Sequence, residues 1–122
     1  MSYIDGFVLP LKEEKLDEYR KMAEMFAGKA KSHGALASVE AIGDGLEHGH
    51  TTDFFKSVKA EDGENVVFSF VVWPDKATRD SAWEKIMADP DMQPGEQPMP
   101  FDGKRMFWGG FKPFVTNLDL PE

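Results

Sequence analysis

Val66-Val-Phe-Ser-Phe-Val-Val-Trp73 is the stretch whose reading decides the fold. Its β-branched and aromatic residues fit a pleated strand. Side chains alternate along a strand, so Val66, Phe68, Phe70 and Val72 share one face and Val67, Ser69, Val71 and Trp73 the other. A strand with one solvated face should be polar on that face. This one is apolar on both, so both sides of its sheet need cover.

On either side of this run lies a strand and a helix. Ser2–Pro10 reads as a first strand, ended by a proline that has no N–H for a ladder. Lys12–Ser32 reads as a helix with Leu16, Tyr19, Met22, Ala23, Phe26 and Ala30 in one apolar stripe, and Gly34 after its end. Leu36–Gly43 is a second strand, followed by a turn-rich loop to Asp53; Phe54–Lys59 extends a strand, and Glu61-Asp62-Gly63 turns into the central run. Asp75 caps a second helix, Lys76–Ala88, with Ala77, Ala82, Trp83, Ile86 and Met87 on its apolar side. Asp89-Pro90 stops it, Pro90–Lys104 forms an irregular arm, and Arg105–Val115 is the last strand, with Gly109-Gly110 marking a bulge or a close approach. The order βαββαβ predicts an α+β, ferredoxin-like sandwich over residues 1–122: one antiparallel sheet, with both helices on one face.

That topology leaves the other face of an apolar central strand uncovered. Burial against a second copy is the reading favoured here, because the commonest oligomer is a two-fold dimer and apolar burial yields roughly 25 cal/mol per Å². The competing reading is that the arm folds back over the sheet. The net charge is -8 and no basic face is visible, which disfavours nucleic-acid binding. No apolar run suits a membrane span and the first residues lack the layout of a signal peptide. With no cysteine, thiol and disulfide chemistry are excluded and a cytoplasmic location is expected.

Tyr3-Ile-Asp-Gly-Phe-Val8, Thr52-Asp-Phe54, the central run with Trp73-Pro74 and Arg79-Asp80, and above all Met99-Pro-Phe-Asp-Gly-Lys-Arg-Met106 with Gly109-Gly-Phe111 carry a resemblance across nearly the whole chain. The sequence resembles the YbaA-like family of uncharacterised bacterial proteins. The resemblance implies a dimeric α+β barrel, in which two ferredoxin-like subunits press their sheets together. It implies no activity. Some proteins of that architecture are monooxygenases or haem enzymes, but a shared fold does not carry a function with it.

Candidate sites follow from residues that break the local pattern. Asp5 and Glu40 each interrupt an apolar alternation, and both are expected on the face opposite the helices; a carboxylate buried there would be a proton-transferring base. The alternative is a strand-edge carboxylate hydrogen-bonded to backbone or paired with Arg105 or Lys104. Asp102, Lys104 and Arg105, at a tight Asp-Gly turn, would bind a carboxylate or phosphate, or else pair with acidic neighbours. Phe7, Ser69, Trp73 and Trp108 would line a pocket for a small apolar molecule, or else belong to core and interface. His48, His50 and Asp53 are a weak metal-ligand set, more simply a solvated loop. His33 ends a helix. No Walker, G-x-G-x-x-G or H-E-x-x-H motif is present. If the chain is an enzyme, cofactor-independent acid–base or oxygenase-type chemistry is expected, the latter by analogy with the resembled architecture, with Asp5 or Glu40 as base and Arg105 holding an anionic group. The expectation is a homodimer binding a small apolar or amphipathic molecule, with a ligand-free interaction protein as the competing class.

Overall fold

Val66–Trp73 lies within strand β3, Glu64–Trp73, of the computed structural model, which describes residues 1–93, 95 and 98–120. The other elements are β1 (Tyr3–Lys12), α1 (Leu16–Ser32), β2 (Ala37–Ile42), a helical turn α2 (Phe54–Ser57), α3 (Lys76–Ala88) and β4 (Phe107–Phe111), with 3-10 turns at Glu13–Lys15 and Pro90–Met92. The sheet order is β2-β3-β1-β4 and every pair is antiparallel. This is the ferredoxin-like α+β sandwich expected.

The register sorts the faces. Glu40, Ser69, Phe7 and Trp108 form one row across the sheet, and Ser38, Val71, Asp5 and Gly110 form the next. Both rows face the helices: Phe7 packs on Trp83 of α3, and Leu9, Leu11 and Val67 join Tyr19 and Ala23 of α1 in one core cluster. A second cluster holds Val71 and Trp73 against Ala30, Ala82 and Ile86. On the opposite face Val66 and Val72 are buried, while Val39, Phe68, Phe107 and Phe111 stay between 41% and 62% exposed. The described part of the arm does not cover them, since its Phe101 and Met106 pack into the cluster under α1.

Several boundaries shift for local reasons. Phe54-Phe55 does not extend a strand. The Asp53 carboxylate accepts the Lys56 N–H at 2.6 Å and caps a helical turn, which overrides the β preference of two aromatics. β1 runs past Pro10 to Lys12, because β4 reaches only as far as Val8 and the missing N–H meets no partner strand. β4 is shorter than expected, ending ahead of Pro113. Gly110 is a close approach: a Cβ there would collide with the Tyr3 ring. In α3 the buried positions are Ala82 and Ile86, with Met87 in solvent. Asp75 caps α3 as expected, and Asp89, which ends α3 ahead of Pro90, also caps the 3-10 turn that follows.

Candidate functional site

An open cleft of about 370 Å³ lies between α1 and the edge strand β2. Leu16, Ala23, Ala27, Ile42 and Val67 give it apolar walls, and Tyr19 and Glu40 meet inside it. The Tyr19 hydroxyl donates to Glu40 Oε1 at 2.5 Å. Tyr19 is buried because it belongs to the apolar stripe of α1, and a buried phenol needs a polar partner. Glu40 supplies it from the edge strand β2, an exposed residue whose carboxylate meets the phenol at the cleft.

Burial raises the Glu40 carboxyl above the ordinary glutamate range, partly offset by hydrogen bonds from Tyr19 and Ser69 that favour the charged form. Burial and the neighbouring Glu40 push the Tyr19 phenol far upward, so it stays a proton donor. Phe101 stacks edge-on to Tyr19 at 5.7 Å between ring centroids and fixes its ring. The arm that carries Phe101 is itself clamped. Arg105 donates to both oxygens of Glu64 at 2.6 and 2.9 Å, to Asp102 at 3.0 Å and to the Lys59 carbonyl at 3.0 Å.

The sign of the Glu40 shift gives a first expected result. The folded chain holds this proton more tightly than the unfolded chain. The resulting stability is complete below the ordinary glutamate value, about 4.3, and is lost as pH rises through the higher folded value. Glu40→Gln should therefore gain stability relative to the native protein as pH rises from about 4 upward. Urea midpoints that run parallel over that range would contradict this.

Asp5 differs from the expectation in two ways. It faces the helix layer, not the bare face, and its carboxylate, 1% exposed, is already filled. Trp73 and Trp83 each donate an indole N–H to Oδ2 at 2.9 Å, and Arg79 donates through Nε and through Nη2, the latter to Oδ1 at 2.7 Å. Glu40 also faces the helix layer, two strands away from Asp5 and offset by two residues, so the two carboxylates do not share a site. The pairing of either with Arg105 or Lys104 is not formed. Arg79 is the cation that Asp5 required, and its guanidinium also lies 5.2 Å from the Tyr3 ring centre.

The remaining candidates scatter. Phe7 and Ser69 sit in the sheet beneath the helices, Trp73 is wholly buried on Asp5, and Trp108 is 63% exposed on the β4 edge. Asp102 and Arg105 bind each other, and Lys104 is exposed in the same turn, its N–H bonded to Asp102. Replacing Arg105 by alanine leaves the Glu64 carboxylate, 5% exposed, without its partner. A loss of about 1–3 kcal/mol is expected from chemical denaturation. Asp53 is spent on capping and holds the Gly49 and Lys56 N–H groups, which depress its carboxyl; His48 stacks on Phe55 at 4.5 Å. Among the described residues no three His, Cys, Asp or Glu side chains group as a metal site.

Fold and cleft together define a ferredoxin-like α+β protein with a phenol–carboxylate pair under its first helix. A family model described as "Protein of unknown function (DUF1428)" matches residues 2–103. "Uncharacterized protein YbaA" of Escherichia coli (strain K12) is 46% identical over 115 residues, covering 94% of this chain and 98% of the relative, and the protein of the same name from Shigella flexneri matches equally well. The chain belongs to this YbaA-like DUF1428 family. Among solved structures it is similar to a point mutant of SnoaB, "a cofactor-independent oxygenase from Streptomyces nogalater", with a TM-score of 0.54, 12% identity and coverage of 95% and 96% of the two chains. That likeness shows the fold. No helix among the described residues is long and apolar enough to cross a membrane.

Proposed function

We propose that this protein is a cytoplasmic homodimer, joined through its bare sheet face, that binds a small apolar or amphipathic molecule between α1 and β2 and exchanges a proton with it through Glu40. The observation that carries the reading is the Tyr19–Glu40 pair, 2.5 Å apart, inside an otherwise apolar cleft of ligand size. A carboxylate raised by burial is a stronger base than one in water, and it takes a proton from a weakly acidic C–H or O–H group brought into contact with it. Tyr19, held protonated, remains a donor to whichever oxygen carries the negative charge. Asp5 has no free acceptor position for that role and serves as an anchor of α3 to the sheet. An oxygenase chemistry needing no cofactor is supported only by the likeness of fold to SnoaB.

The second reading, an interaction protein without a ligand, draws on the internal pairing of Asp5 with Arg79 and of Arg105 with Glu64, which leaves neither Asp5 nor Arg105 free for a ligand. Titration with 2-naphthol, a flat and weakly acidic probe, separates the two. Mapped by amide chemical shifts, saturable changes at Ala23, Ala27, Ala41 and Ile42 support the cleft. Changes confined to the Phe68 and Phe107 face, or none, would favour the interaction protein.

A further inference from the structure

Two features beyond the Tyr19–Glu40 pair lie far apart in one copy. The first is a groove of about 330 Å³ between the C-terminal half of α1 and the start of β2, formed by Ala27, Gly28, Lys31, Ala35 and Leu36. Gly28 sits inside the helix, where glycine is disfavoured, and a Cβ there would meet nothing within 4 Å. Leu36 is 49% exposed beside it. The second is the segment after β4, whose Phe114 and Val115 are 97% and 82% exposed.

The ladder gives their relative positions. Phe111, the last residue of β4, pairs with Ile4; Ile4 pairs with Val72, and Val72 with Ala37, the first residue of β2. The chain leaving β4 therefore heads past the level at which β2 begins, which is the level of the groove. Within one copy it does so on the wrong side, because β4 and β2 are opposite edges of the sheet, three strand spacings or about 14 Å apart. A two-fold axis parallel to the strands, the operation that presses the bare faces together, brings the β4 edge of one copy to the β2 edge of the other at the same level. The two sheets stack about 10 Å apart, and the three residues from Phe111 to Phe114 span about that distance, so the backbone reaches the β2 edge at Ala37 and the Phe114 side chain extends beyond it.

We propose that Phe114 of one copy seats in the Ala27–Gly28–Leu36 groove of a second copy. The inference rests on the sheet-face dimer and names a contact that completes it. Glycine at position 28 gives an aromatic ring room against the helix backbone, and Phe114, 97% exposed, gains cover that the described residues of its own chain do not provide. The groove shares Ala27 and Ser38 with the Tyr19–Glu40 cleft, so the seated segment forms part of the rim of the partner's cleft.

The test approaches the contact from both sides in the full-length chain. Phe114→Ala removes the ring, and Gly28→Leu fills the groove while favouring the helix. Dimer dissociation constants from sedimentation over a dilution series should rise tenfold or more in each variant, with unchanged circular dichroism. Because the chain has no cysteine, an equimolar mixture of Gly28→Cys and Phe114→Cys proteins should in addition give a heterodimer joined by one disulfide under mild oxidation. A dimer that both substitutions leave intact, with no cross-link, overturns this contact and leaves the sheet-face dimer standing. A native protein that is monomeric at every concentration overturns both.

Discussion

Asp5→Ala is expected to cost about 3–5 kcal/mol, a large part of the stability of a domain this size. The substitution deletes one small side chain, yet it strands four donors at once: two indole N–H groups and two faces of the Arg79 guanidinium. The Arg79 side chain is 17% exposed, so its charge is left largely out of water with only Asp80, at 3.0 Å, to answer it. Trp73 is completely buried and has no route to solvent for its N–H. Arg79→Ala should be costly for the mirror-image reason, and the double substitution should cost clearly less than the sum of the two, since each single change already loses the pair. Urea denaturation monitored by circular dichroism measures all three. A loss below about 1 kcal/mol for Asp5→Ala would mean that water or another side chain takes its place, and the account of how α3 is held would fail.

Phe68→Glu should convert the proposed sheet-face dimer to a monomer. Phe68 lies in the middle of the bare face, 42% exposed, level with Val8 of β1 and Ala41 of β2. In a two-fold interface each substitution is present twice, so two carboxylates would be brought into one apolar contact without partners. A weakening of the dimer by at least about 100-fold follows if each buried charge costs a few kcal/mol. The monomer itself should fold, because the residue is already part-solvated in a single copy and the core lies on the other side of β3. Sedimentation velocity and far-ultraviolet circular dichroism on the same sample report the two halves of the expectation. A variant that still sediments as a dimer would move the interface elsewhere.

How far the sequence alone could be read depends on which physical signal each feature leaves. The apolar run at Val66–Trp73 and the period of α1 are extended patterns, so the strand order, both long helices and their caps were legible. The bare face was legible too, because it is written in alternate residues of β3 and β4. The direction in which Asp5 and Glu40 point was not. Facing follows from a one-residue phase of the ladder, and a side chain flips from one face to the other when that phase changes. Partners in space were harder still: Arg79 lies 74 positions from Asp5. Two signals were nonetheless present. A lone carboxylate in an apolar strand demands a cation, and a tyrosine on a buried helical stripe demands an acceptor. The Asp102–Arg105 turn offers two readings in sequence, an anion site or a turn paired with acidic neighbours, and the structure shows the second: Arg105 ties the turn to Glu64 of β3 while Phe101 and Met106 pack into the core.

The shared carboxylate has an optical consequence. Of the three tryptophans, two end on Asp5, where protein shields them from quenchers, and the third, Trp108, stands in solvent on the sheet edge. Emission from the native protein should divide into a blue component that acrylamide barely reaches and a red component that it extinguishes. The blue component will follow the opening of the α3–sheet contact during unfolding. The red one will follow whatever approaches β4, so a single cuvette can time assembly and unfolding separately without any attached dye.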